Sequence, residues 1–241
     1  MIIKKINLRE GKNVTLTTYI QEPSHEMEPV QDKPGILILP GGGYQFCSDR
    51  EAEPIALSYL KEGYNAFVLT YSLKEDSSFP NPLEDAEKAL GMIRENAKEW
   101  HTIDNKIACI GFSAGGHLAL SLGTSKVIRP NALILGYGAF IRAVEQQWDY
   151  PTPIIDKDVP ETFLFHTYLD NVVPVDTSLF VAGELRKYDI PFELHVFRNG
   201  SHGLSLGNET VNWGNGFVSD KQYEKWLSLS VDWLNDLFKI Y

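Results

Sequence analysis

The five residues Gly111-Phe-Ser-Ala-Gly115 constrain this chain more than any other stretch, because they stand between an apolar run and a run of small helix formers. Lys106–Gly111 predicts a strand, and Ser113–Leu122 predicts a short helix ending near Gly123. A serine between glycines at such a junction fits a tight strand-to-helix turn, where a Cβ on either glycine would collide with strand or helix. That turn lifts the Ser113 hydroxyl above the sheet edge and aims a helix N-terminus at any negative charge developing there. A plain turn with Ser113 capping the helix gives the same local pattern. The rest of the chain has to decide between them.

Short β-branched runs alternate with longer helical ones along the whole sequence, which predicts an α/β fold with a mostly parallel central sheet flanked by helices. Residues around 2–8 and 13–20 alternate apolar and polar, as a half-exposed antiparallel pair at the N-terminal side would. A Glu- and Pro-rich linker follows at about 21–34. Gly35–Leu39, Ala66–Leu69, Ala132–Leu135, Thr162–His166 and Phe192–Phe197 read as further strands, and Glu51–Glu62, Pro82–Trp100, Asp176–Tyr188 and Asp220–Phe238 as helices. With 241 residues, no internal repeat and no second composition regime, one domain spanning 1–241 is expected, with no room for a large cap domain.

The strand Gly35–Leu39 runs into Pro40-Gly41-Gly42-Gly43-Tyr44. Consecutive glycines let a backbone turn its N–H groups outward, into space that a side chain would block. The amides of Gly42 and Gly43, with that of Ala114, are the expected donors to an oxyanion. A phosphate cradle is disfavoured, since neither a G-K-[ST] sequence nor the Rossmann glycine spacing is present.

Six histidines compete as general base: His25, His101, His117, His166, His195 and His202. The first two fall in solvated segments. His117 faces back into the fold from the serine's own helix, and His166 and His195 lie inside predicted strands, where core packing is expected. His202 stands in a loop directly after the last predicted strand, at the sheet end where α/β folds gather their chemistry. Asp170 occupies the loop after Thr162–His166, whereas Asp176 reads as a charge at a helix start and Asp156 and Asp158 precede the strand at its wrong end. Ser113, Asp170 and His202 thus fall at the same end of three separate strands. A carboxylate behind the imidazole fixes its tautomer and stabilises its protonated form.

With these segments in view, the chain resembles the carbohydrate-esterase and acetyl-esterase branch of the α/β-hydrolase fold. The resemblance rests on Pro40–Tyr44, Ser48–Pro54, Gly63–Phe67, Gly111–His117, His166 with Asp170–Pro174, and Gly200–Gly203. It implies acylation of Ser113 with release of an alcohol, then attack by water on the acyl-enzyme. Many esterases of this type carry His before the glycines, where this chain has Pro40, a difference that bears on loop geometry. A peptidase or amidase of the prolyl-oligopeptidase group shares the order of these residues but works behind a propeller domain, and a silent binding protein of the same fold would not need all the reactive groups.

The short connections between strands predict an open pocket for a small acyl group. Tyr44, Phe46, Trp148 and Trp213 are candidate aromatics at its mouth, with Tyr44 and Trp213 expected to touch substrate. Aromatic faces suit sugar rings, so the expected partner is a small-molecule ester, an acetylated sugar among the options. No spacing of His, Asp and Glu resembles a metal-ligand set, and neither metal nor cofactor is expected. A net charge of −10 disfavours nucleic acid and anionic membranes as partners. The N-terminal segment lacks the pattern of a secretory signal, so a cytoplasmic location is expected.

Overall fold

Eight runs rich in apolar and β-branched residues form strands, and the amphipathic stretches between them form helices, in a computed structural model that describes residues 1–141, 150–214 and 216–240. In chain order they are β1 (Ile2–Asn7), β2 (Thr15–Ile20), β3 (Lys33–Leu39), α1 (Glu53–Lys61), β4 (Asn65–Thr70), α2 (Asn81–Glu95) and β5 (Thr102–Phe112). Then follow α3 (Ala114–Gly123), β6 (Ala132–Gly136), β7 (Thr162–Thr167), α4 (Asp176–Lys187), β8 (Phe192–Phe197) and α5 (Lys225–Phe238). The strands make one sheet in the order β1-β2-β4-β3-β5-β6-β7-β8. Only the β1–β2 and β2–β4 pairs are antiparallel; the five pairs from β4–β3 to β7–β8 are parallel.

Parallel strands covered on both faces need apolar residues at every position, and the central ones have them. In β3, Leu37 and Leu39 face one apolar layer with Leu90, Ile93 and Leu118 of α2 and α3. Ile36 and Ile38 face the opposite layer with Tyr59, Trp226 and Leu234 of α1 and α5. β5 repeats the division, Ile107 and Cys109 on one side and Ala108 and Ile110 on the other. No helix among the described residues is long and apolar enough to cross a membrane.

Some boundaries depart from the sequence reading for local reasons. β2 is not half-exposed, because it lies between β1 and β4 and has Thr18 buried; β1 is the exposed partner at the sheet edge. The last helix starts at Lys225 rather than Asp220, since the Asp220 carboxylate accepts from the amides of Gln222 and Tyr223 in a turn that competes with helix. The first starts at Glu53 with Pro54 in its opening turn, after a 3₁₀ turn over Asp49–Glu51. α2 ends at Glu95, and the amides of Trp100 and Thr102 bond the carbonyls of Asn96 and Ala97 in a looped exit.

The register aligns the carboxyl ends of the parallel strands. Leu39 pairs with Gly111, Phe112 with Gly136, and Thr167 with Phe197. From β3 the chain turns to β4 on one side, then crosses back to β5 on the other, so the β3–β5 junction is the switch point where α/β sheets open a crevice. Helix α3 sits hard against this junction: a Cβ on Gly115 would lie 2.0 Å from the Leu39 carbonyl oxygen. Gly115→Ala is therefore expected to cost about 2 kcal/mol or more, read as a lowered urea midpoint; an unchanged midpoint would contradict this close approach.

Candidate active site

Five strand ends deliver five loops to one rim: Gly41–Gly43 after β3, Ser113 after β5, Tyr137 after β6, Asp170 after β7 and His202 after β8. Ser113 joins β5 to α3 with φ 52° and ψ −118°, backbone values that cost a non-glycine residue about 1–3 kcal/mol. The turn is held from three directions. The Ser113 amide donates to the Gly136 carbonyl at 3.0 Å, and the Ser113 carbonyl accepts from His117 at 3.1 Å and Ala139 at 3.2 Å.

The structure brings Ser113, His202 and Asp170 into one hydrogen-bonded line. Ser113 Oγ lies 2.8 Å from His202 Nε2, and His202 Nδ1 lies 2.7 Å from Asp170 Oδ2. The carboxylate can only accept from Nδ1–H, which leaves Nε2 to accept the serine proton. Asp170 Oδ1 accepts the amides of Val172 and Val173, each at 2.9 Å. Burial alone would raise the Asp170 pKa, but hydrogen bonds from His166 and His202 outweigh it and hold the carboxyl below its ordinary range. His166, expected as a core histidine, is buried as expected, yet its Nε2 also approaches Asp170 Oδ2 at 3.5 Å while donating to the Val173 carbonyl. Its signal in the sequence was its place four residues before Asp170.

The glycine loop faces the serine. Gly42 (φ 129°) and Gly43 line a cavity of about 290 Å³ together with Ser113 and His202. A Cβ on Gly42 would come within 2.1 Å of the Phe46 carbonyl oxygen, so this turn needs glycine twice over. The amides of Gly42, Gly43 and Ala114 make no hydrogen bond to another described residue. Supports for the loop come from elsewhere than a preceding histidine. The Tyr71 hydroxyl donates to the Pro40 carbonyl at 2.5 Å, and Glu51 Oε2 accepts the Gly41 amide at 2.7 Å. Glu51 is buried, and its Oε1 accepts the Tyr137 hydroxyl at 2.6 Å, whose oxygen in turn accepts the Ser205 amide at 3.1 Å. One buried carboxylate thus ties the glycine loop to the loop of His202. Sequence reasoning missed Glu51, which looked like an ordinary acidic residue at a helix start.

Tyr44 does not stand at the mouth of this cleft. It is fully buried, its hydroxyl donating to His117 Nδ1 at 2.8 Å while its ring packs 4.2 Å from that of Tyr150. His117 Nε2–H donates to the Pro151 carbonyl at 2.7 Å, so the pair locks the glycine loop to the segment before β7. Trp213 also stands back: it is exposed and does not line the cleft, although the guanidinium of Arg50, which does, lies over its ring at 4.2 Å. Phe46 is exposed and does line the cleft. Trp148 lies outside the described residues. His195 is half-buried on edge strand β8, stacked on Phe163 at 4.9 Å rather than enclosed in the core.

The crystal structure of MGS-M1, an alpha/beta hydrolase enzyme from a Medee basin deep-sea metagenome library, is 52% identical with a TM-score of 0.96, covering 99% of this chain and 98% of that one. The chain is an α/β-hydrolase. Its residues 20–132 match the BD-FAE family and residues 143–239 the prolyl oligopeptidase family. An acetyl ester-xyloside bifunctional hydrolase from Caldicellulosiruptor lactoaceticus shares 30% identity and a TM-score of 0.81, over 98% of this hydrolase and 96% of the other. An acetylxylan esterase from Xylanibacter ruminicola is 27% identical over 198 residues, 71% of this chain and 41% of that protein. The hydrolase spans less than half the length of the curated relatives it matches.

Burial pushes the pKa of His117 down to about 4, even though its bond to the Pro151 carbonyl favours the charged form. In the unfolded chain the group titrates near its ordinary value, so between those two values the unfolded state binds more protons. Stability is therefore expected to fall as pH drops from about 6.5 to 4, by about 3 kcal/mol from this group. Thermal unfolding followed over that range should show the slope, and His117→Gln should flatten it. A wild-type melting temperature that does not move would contradict a neutral buried His117.

Proposed function

We propose that this hydrolase is a serine carboxylesterase acting on short-acyl esters, acetyl esters of small molecules or carbohydrates foremost. The observation that carries the reading is the line from Ser113 Oγ through His202 to Asp170, 2.8 Å and 2.7 Å long, opening on a small cleft. Ser113 Oγ attacks the ester carbonyl as His202 Nε2 takes its proton. The proton passes from Nε2 to the departing alcohol oxygen. Water then attacks the acyl-enzyme with His202 as base, releasing the acid and restoring the serine. Asp170, ionised and buried, keeps His202 in the receptive tautomer and stabilises its cation. The amides of Gly42, Gly43 and Ala114 receive the oxyanion, each donor contributing about 3 kcal/mol to the transition state.

Two features support the substrate class. A cavity of about 290 Å³ sits at the small end of ligand sites, which favours an acetyl-sized acyl group. Relatives named as an acetylxylan esterase and an acetyl ester-xyloside hydrolase favour a carbohydrate alcohol. The substrate contacts first expected of Tyr44 and Trp213 pass to Phe46 and Arg50, which line the cleft directly. A peptidase reading has one observation in its favour, the prolyl oligopeptidase match over residues 143–239. Turnover of aminoacyl-anilides above that of matched esters would favour it.

Ser113→Ala is expected to keep the fold and lose p-nitrophenyl acetate hydrolysis by about 10⁴-fold or more; normal turnover would remove the serine from the mechanism. In the wild type, kcat/KM should fall steadily from acetate through butyrate to octanoate esters. A preference for octanoate would contradict the small acyl site.

A further inference from the structure

Arg50 stands in the wall of the cleft that holds Ser113 and His202. Its guanidinium is fixed in place rather than trailing into solvent. Nη1 donates to the Gly203 carbonyl at 2.5 Å, and its face lies on the Trp213 ring at 4.2 Å. A guanidinium carries five N–H groups, and the others of Arg50 meet no acceptor among the described residues. Nor is its charge answered. Arg9, Arg129 and Arg186 each pair with a carboxylate, whereas no acid lies within ion-pair distance of Arg50 among the described residues. The adjacent Glu51 has its two oxygens engaged by the Gly41 amide and the Tyr137 hydroxyl. Asp49 and Glu53 line a second pocket with Arg50, one that does not include Ser113 or His202, and neither pairs with the guanidinium.

We propose that Arg50 is a carboxylate-binding subsite of this cleft, so that the preferred ester carries a negative charge beside the reacting carbonyl. The inference rests on the esterase reading above and narrows its substrate class. An oriented planar fork with free N–H groups matches a carboxylate's two oxygens, which a lysine's point charge would not. Stacking on Trp213 holds the fork while leaving its edge for a ligand. The chain's net charge of −10 offers anions no long-range attraction, so selection has to come from this contact. The carboxylate can enter on the acyl side, as in a hemisuccinate, or on the alcohol side, as in an acetylated uronic acid.

The test compares matched ester pairs: 4-nitrophenyl hydrogen succinate against its methyl ester for the acyl side, and acetylated methyl glucuronide against acetylated methyl glucoside for the alcohol side. In one of the pairs the wild-type kcat/KM should favour the acidic member, and Arg50→Gln should shrink that ratio about tenfold, with Arg50→Lys between them. If both members fall together, so that each ratio stays put, Arg50 is only a clamp on the His202 loop and the proposal is overturned. Calorimetric titration of Ser113→Ala with succinate and with glucuronate separates this claim from the esterase reading, because binding needs no turnover. Binding of either acid, lost in Ser113→Ala/Arg50→Gln, supports the subsite even in a chain that hydrolyses no ester. Absence of binding by both acids overturns it. Should Arg50→Gln fail to fold, inhibition of the wild type decides: succinate stronger than succinamide supports the subsite, equal potency overturns it.

Discussion

Everything at the sheet rim depends on the left-handed backbone of Ser113. A strand cannot pass directly into a helix at φ 52° unless neighbours hold it there, and here three backbone hydrogen bonds and the close seating of Gly115 on Leu39 do so. That strain fixes the hydroxyl above the sheet and leaves the first amides of α3 without intrahelical partners. Because the strands are parallel and in register, the loops after β3, β7 and β8 reach the same height as the serine. The meeting of hydroxyl, imidazole and carboxylate follows from the topology.

Buried polar groups then bind these loops to one another. Glu51 joins the Gly41 amide to Tyr137 and through it to Ser205, while the Ser205 hydroxyl donates to the Arg50 carbonyl. Tyr44 and His117 make a second tie on the opposite side of the glycine loop. In these two ties each named donor has an acceptor, and loss of one member leaves the others unsatisfied at about 1–3 kcal/mol each. Pro40 fits this picture: its carbonyl is held by Tyr71, and the loop after it is braced from Glu51.

Much of this was legible in the sequence, and the reason is periodicity. Ser113 and Asp170 each follow an apolar run that forms a buried strand, and His202 follows an alternating run that forms the edge strand β8, so their shared rim could be read without coordinates. The glycine loop was legible for the same reason. What stayed hidden was side-chain direction in irregular segments. Tyr44 follows the three glycines and looked like a mouth residue, but φ 59° turns it inward onto His117. Glu51 sits in a 3₁₀ turn whose pairing partners lie 10 and 86 residues away, beyond any local pattern. Trp213 was expected to touch substrate, yet it does not line the cleft, whereas Arg50, whose guanidinium lies over its ring, does.

In this mechanism the Ser113 hydroxyl is made nucleophilic by His202 and Asp170. Mass mapping of the folded chain after brief exposure to a fluorophosphonate tests it most directly, since the reagent needs an activated serine and no knowledge of the natural ester. One phosphonyl adduct is expected, on the peptide bearing Ser113, formed about a thousandfold more slowly once Asp170 is replaced by Asn. An adduct on another residue, or equal labelling with and without the Asp170 carboxylate, would contradict it.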